Sequence, residues 1–250
     1  MKEKTLTLGN LLLALAGFLF LISFSVTLVL NLREIYYFDI GYLNLESETG
    51  YSEEVIRANY DALIDYNLLI KDVDELEFPD FPMSENAATH FREVKQIFVA
   101  LQVTFFVTGV ILAVFCVATV VWRKRFSKRK PSGKKEKKQR SRLAANMEAL
   151  KLLSVFAFAI PVVLGILAAV NWDSFFTRFH EIFFQNDYWL FDPVTDPVIL
   201  ILPDAFFAHC AAAILLILFL GGILTGILYG RLRRAGIAKN HREKKEGKMI

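Results

Sequence analysis

The sequence predicts an all-α integral membrane protein, with four transmembrane helices and an extracellular, aromatic-rich, mostly helical cap. Three observations predict it. First, 54% of the 250 residues are apolar, with 23 Phe and only 13 Gly, which is beyond the usual range of a soluble domain. Second, four long runs carry no charge: Leu6–Leu32, Gln96–Trp122, Leu152–Trp172 and Ala205–Gly230. About 20 apolar residues suffice to cross the hydrocarbon core. Third, the charges separate by segment. The N-terminal segment, Arg123–Arg142, Lys151 and the tail from Arg231 hold 23 of the 29 Lys and Arg, whereas Arg33–Lys95 and Trp172–Asp204 hold 21 of the 26 acidic residues.

The spans fall at 6–32, 96–122, 149–172 and 205–230. The first is longer than the roughly 7–15 residues of a signal-peptide core, so it reads as a retained helix. By the positive-inside rule the basic loop 123–148 and the basic tail 231–250 are cytoplasmic, as are both termini. The segments 33–95 and 173–204 then face outward. The protein is expected in the cell membrane as a multi-pass protein in contact with membrane lipids. The stretch "RKRFSKRKPSGKKEKKQRSR" (Arg123–Arg142) flanks two spans, so it reads as a topology determinant and flexible linker attracted to anionic lipid, not as a nucleic-acid site. Cys116 and Cys210 both lie inside spans, so no disulfide framework is expected.

The outer segments hold the candidate chemistry. "IYYFDIGYL" (Ile35–Leu43) suits an interfacial aromatic belt. "YSEEVIRANYDALIDYNLL" reads as a helix capped by Ser52, with Val55, Tyr60, Leu63, Ile64 and Leu68 on one face. "EFPDFPMSEN" (Glu77–Asn86) reads as an irregular turn, because prolines three apart block regular structure. Ser84 then caps a helix that runs through "NAATHFREVK" into the second span. After the third span, "NWDSFFTRFHEIFF" keeps helical spacing, above the membrane or along its surface. "NDYWLFDPVTDPVILILPD" returns through Asp-Pro turns to the fourth.

Four histidines are present. His241 lies in the basic tail. His209 lies near the outer end of the fourth span and reads as a ring bonded to a neighbouring helix. His90 and His180 each stand about two turns, roughly 10 Å, from the adjoining span if both segments are helical. The two rings then meet at the boundary between cap and membrane. Carboxylates stand near both: Glu93 beside His90, and Glu181, Asp187 and Asp192 beside His180. A neutral imidazole accepts a proton near pH 7 and an imidazolium donates one. A base and an acid among aromatics suit acyl transfer from an ester to an amine, with each proton transfer worth about 10²–10⁴ in rate. No GxSxG elbow and no HExxH motif occurs, so neither a nucleophilic Ser nor a zinc site is expected, and no cofactor.

Two stretches, "THFREVKQIF" (Thr89–Phe98) and "FHEIFFQNDYWLFDPVTDPVILILPDAFF" (Phe179–Phe207), resemble the signature stretches of the lipoprotein intramolecular transacylase family. "GYSEEVIRANYDALIDY" (Gly50–Tyr66) is similar to that family's outer segment. The resemblance implies an acyltransferase of a Gram-positive bacterium's membrane. Its substrate would be a diacylated lipoprotein. The sn-2 acyl chain of the diacylglyceryl-cysteine would move to the α-amine of the same cysteine, leaving a lyso-form lipoprotein. It further implies that His90 and His180 are the catalytic pair. Glu181, Asn186, Asp187 and Asp192 would orient a ring or hold an oxyanion. Trp189, Phe183, Phe184 and Tyr188, with Tyr36 and Tyr37 of the outer aromatic cluster, would confine the acyl chains. The competing expectations are a non-enzymatic membrane scaffold or accessory subunit that binds a partner through its acidic cap, and a metal-assisted enzyme at the same histidines.

Overall fold

The computed structural model describes residues 8–127 and 133–246, with side chains except at 123, 125–146 and 236–246. Helices dominate the described residues. In chain order they are α1 (Leu8–Asn31), α2 (Glu34–Tyr42), α3 (Leu45–Thr49), α4 (Glu53–Asn67), α5 (Glu85–Ser127), α6 (Gly133–Val170), α7 (Trp172–Phe183), a 3₁₀ turn (Pro197–Ile201) and α8 (Asp204–Glu246). Four of them are long and apolar enough to cross a membrane: α1, Glu85–Trp122 of α5, Met147–Val170 of α6 and Asp204–Ala235 of α8. Their outward residues, such as Val110, Val114, Val163, Ile166 and Leu224, are largely exposed, as lipid-facing positions are.

The basic stretch departs from the expected linker. α5 continues to Ser127 and α6 starts at Gly133, so helical backbone covers much of it. Lys, Arg, Gln and Glu lose little rotamer freedom in a helix, and Ala none. Residues 128–132 lie outside the described ones.

The chain divides into two compact units. One comprises 1–21, 106–161 and 218–250. Here α8 meets α6 closely at Gly222, where a Cβ would stand 2.8 Å from the backbone of Ala157 and Phe158. A small residue at such a crossing lets two helices approach.

The other unit comprises 22–105 and 162–217, and it has a true core. α2, read as part of a belt, is a helix whose inner face is buried. Tyr36 stacks on Tyr60 of α4, with centroids 3.7 Å apart, and meets Phe206 of α8 edge-on at 4.9 Å. Ile40, Ile56, Leu63, Ile64, Phe81 and Ile201 join the same cluster. Ser52 caps α4 by accepting the Val55 N–H, and Ser84 accepts the Ala87 N–H, as their sequence positions predict. On α4 the face expected from Val55 to Leu68 also buries Ile56, Asn59 and Tyr66. Asn59 holds the proline-rich turn in place. Its Nδ2 donates to Asp80 Oδ2 at 2.8 Å, and its Oδ1 accepts the Asp80 N–H at 3.2 Å.

The helical spacing after the third span is interrupted at Asn171. This residue is extended, with φ −157° and ψ 98°, and its side chain accepts from the Ser174 N–H. α7 is therefore a separate, newly capped helix. It places Phe175, Phe176, Phe179, His180 and Phe183 along one broad face, built from neighbours four apart. None of its residues is fully buried.

Candidate active site

His90 stands on the second turn of α5 and His180 near the end of α7. Their ring centroids are 6.0 Å apart, with planes inclined at 34°. The meeting that depth alone predicts is present. His90 is 5% exposed, whereas His180 is half-buried.

Aromatic side chains enclose both rings. Phe184 and Phe191 meet His90 edge-on at 4.6 and 5.5 Å. Phe176 lies 4.2 Å from His180 on one side, and Trp189 stacks on it at 4.7 Å. Among the described residues, no carboxylate forms a hydrogen bond or ion pair with either ring.

The hydrogen bonding of the two rings differs. His180 Nδ1 lies 2.8 Å from the carbonyl of Phe176, one turn back on α7. A carbonyl only accepts, so Nδ1 carries the hydrogen and the neutral ring keeps its lone pair at Nε2. Burial holds the His180 imidazole below its ordinary value of 6.5, against the Phe176 carbonyl, which favours the protonated ring. The neutral form, with its hydrogen on Nδ1, therefore prevails at neutral pH. His90 Nδ1 is buried without a hydrogen-bond partner. An orphaned buried nitrogen is costly unless something completes it.

The other predicted residues fall into two sets. Near the pair, Asn186 Nδ2 donates to both oxygens of Glu93, at 3.0 and 3.3 Å. Glu93 is one turn after His90, and Asn186 follows the end of α7. This bond ties together the two segments that carry the histidines. Glu181, Phe184, Gln185, Asn186, Asp187 and Trp189 line a polar recess of about 310 Å³ beside them. Glu181 is paired with Arg178 at 2.7 Å.

The second set serves the framework. Asp192 Oδ1 accepts the Val194 N–H in a turn. Tyr36 is fully buried and donates its hydroxyl to the Ile201 carbonyl at 2.5 Å. Tyr37 donates to Asp61 at 2.7 Å beneath the Arg57 guanidinium, 4.1 Å above its ring. Both tyrosines thus bond and stack within the framework and not on the histidine pair.

Phe176 and Phe191 were missed by the sequence reading. Phe176 lies one turn before His180, so helical spacing alone places its carbonyl beneath the ring. Phe191 carries no such signal. His209 bonds a neighbouring helix as expected, through Asp39 of α2. Among the described residues, no group of three or more His, Cys, Asp and Glu side chains is placed to hold a metal ion.

Comparison with known proteins places the chain in a family. The sequence model of the family described as lipoprotein intramolecular transacylase Lit matches residues 11–207. A solved structure of the membrane-integral lipoprotein intramolecular transacylase Lit from Bacillus cereus is 30% identical. The match covers 92% of this chain and 96% of that one, with a TM-score of 0.76. Two variants of the Bacillus cereus protein, with one histidine changed to arginine or to alanine, also match. Each is 30% identical over 92% of this chain, covers 92% or 94% of its own, and has a TM-score of 0.70. No curated protein matches significantly. With four long apolar helices, a family match over most of its length and a like-folded membrane-integral relative, the chain is a multi-pass membrane protein and belongs to the lipoprotein intramolecular transacylase family.

Proposed function

We propose that the protein moves the sn-2 acyl chain of a lipoprotein's diacylglyceryl-cysteine to the α-amine of that cysteine, with His180 and His90 as the catalytic pair. The observation that carries this reading is the approach of two imidazoles to 6.0 Å inside an aromatic enclosure, in a chain of this family.

The tautomer of His180 supports its role. Its Nε2 takes a proton from the α-amine as the nitrogen attacks the ester carbonyl. An α-amine has a pKa of about 7.7–8.0, so part of it is already neutral near pH 7. The tetrahedral intermediate bears an oxyanion, and an N–H of the neutral His90 ring donates to it. When the intermediate collapses, the ester C–O bond breaks. The leaving glyceryl alkoxide receives the proton held on His180. One N–C bond forms, one C–O bond breaks and one proton passes from nitrogen to oxygen, so no water or cofactor is consumed. Confinement by Phe176, Phe184, Trp189 and Phe191 would hold amine and carbonyl in a near-attack arrangement, the main device open to an intramolecular transfer. Glu93 and Asn186 position the two rings.

The charge split supports an outward-facing site, with both termini in the cytoplasm. Lipoproteins are exposed on that outer side.

The test is mass spectrometry of a lipoprotein's N-terminal lipopeptide in a host whose lipoproteins are plain diacylglyceryl forms. With the wild type, intact mass stays constant while fragmentation shows one acyl chain on the amine. With His180→Ala the amine stays free. A free amine beside well-expressed wild type would overturn the reading and return the acidic cap to a binding role.

A further inference from the structure

A second histidine site lies on α2 and α8. An open groove of about 620 Å³ is lined by Glu34, Ile35, Phe38, Asp39, Tyr42 and His209. Its chemistry is unlike that of the catalytic pair. Asp39 is 1% exposed, and its two oxygens lie 2.9 and 3.0 Å from His209 Nδ1. A carboxylate only accepts, so Nδ1–H donates to it and the other edge of the ring, with Nε2, is left for the groove. The rings of Phe38 and Tyr42 stack at 5.4 Å and are 67% and 63% exposed. Tyr42 lies 5.9 Å from His209. Glu34 is exposed at the same groove.

These groups present the exposed Glu34 carboxylate and two aromatic faces, while the buried Asp39 carboxylate is taken up by His209, and no Lys or Arg lines the groove. That set suits a cation, which gains from the carboxylate and from the aromatic faces together. The apolar walls suit a lipid tail. His209 is five residues beyond the first residue of α8, at the outer end of its apolar span.

Resting on the proposed reaction, we propose that this groove is a loading site for the free α-ammonium of the diacylglyceryl-cysteine substrate. A zwitterionic phospholipid fits less well, since its phosphate would face Glu34 and Asp39 with no basic side chain to answer it. The product is an amide without positive charge, so the groove releases what the active site has finished. α8 also carries Phe207, which meets Phe176 at 5.6 Å, and Phe176 holds the catalytic His180. Phe207 of α8 therefore links the groove's helix to the aromatic enclosure of His180.

The experiment uses the full chain with His180→Ala, which stops turnover. Binding of three probes is measured by native mass spectrometry in detergent. They are a synthetic diacylglyceryl-cysteine lipopeptide with a free amine, its N-acetylated form and dioleoyl phosphatidylethanolamine. The free-amine lipopeptide should bind roughly threefold to tenfold more tightly than the acetylated one. Glu34→Gln, at an exposed position that tolerates change, should remove most of that preference, and Phe38→Leu part of it. A preference that survives Glu34→Gln overturns the loading site. Equal competition by phosphatidylethanolamine overturns it too, in favour of a general aminophospholipid site. Acyl transfer by the wild type on the same lipopeptide is followed in parallel. Turnover together with a preference indifferent to Glu34 sinks the loading site alone. No turnover sinks the reaction, and the loading site with it.

Discussion

The unit of residues 22–105 and 162–217 holds two histidine sites built on opposite plans. In one, His90 and His180 face each other among phenylalanines and a tryptophan, and His180 is held by a backbone carbonyl. In the other, His209 is held by a carboxylate that is almost wholly buried. A carbonyl orients a ring and leaves its proton affinity governed largely by burial. A carboxylate fixes a charge in place. The first plan gives a ring that can take a proton and give it back within one reaction, and the second a fixed electrostatic feature. The proposed reaction assigns proton shuttling to the carbonyl-held ring.

The comparison is tested most severely by removing each histidine. His90→Ala and His180→Ala should each lower acyl transfer by about 10²–10⁴, read as the rate of amine acylation on a lipopeptide. The double variant should be little worse than the worse single one, because residues that act as a unit are not additive. Full activity in either single variant would remove that residue from the chemistry. Both should fold, since neither ring answers a buried charge.

His209→Ala should behave oppositely. It strands the Asp39 carboxylate, so thermal unfolding should come earlier by the equivalent of about 1–3 kcal/mol. The partial exposure of His209 lets water soften the loss, which keeps it below the cost of breaking a fully buried pair. If His209→Ala unfolded like the wild type while His90→Ala lost stability, the two plans would have been misassigned.

Part of this was legible in the sequence. The four spans follow from uncharged runs, because in hydrocarbon every backbone group must be bonded within its own helix. Ser52 and Ser84 signal their caps locally. The meeting of His90 and His180 follows from depth, since a helix rises uniformly and both histidines stand about two turns from a span. α2 was harder. Its nine residues mix Tyr, Phe, Asp and Ile, too few to show a period, so its buried face emerges only when α4 and α8 pack against it. The break at Asn171 was hidden because aromatic helical spacing continues on both sides of it. The links Asp39–His209 and Glu93–Asn186 join residues 170 and 93 apart. No local pattern encodes such a partner.

A smaller effect should come from the bond between the two catalytic segments. Asn186→Ala removes a hydrogen bond to a carboxylate, and such bonds are worth about 1.5–3 kcal/mol. The Glu93 side chain is only partly buried, so the lower end applies, and kcat should fall about tenfold. Asn186→Asp should cost more, because two carboxylates would then face each other. Asn186→Gln, which keeps the amide, should recover part of the rate. Equal rates for Asn186→Ala and the wild type would show that the two segments hold their places without this bond.

The smallest effect, and the most diagnostic of the carbonyl-held plan, is the response to pH. Burial, the larger influence, lowers the His180 value below 6.5, and the Phe176 carbonyl only partly opposes it. His180 must be neutral to act as base, so the rate falls on acidification, and only as pH drops through the folded-state value. At pH 6.5 the loss should still be less than about twofold, because the folded ring is less than half protonated there. Stability follows the same sign. Between the folded-state value and 6.5 the unfolded chain binds more protons at this site, so stability rises with pH across that window and is flat above it. An acid limb centred above pH 6.5 in kcat/KM would mean that a negative charge outweighs burial at His180. The His180→Ala variant supplies the control, since the share of the pH-dependent stability that comes from this ring must vanish with it.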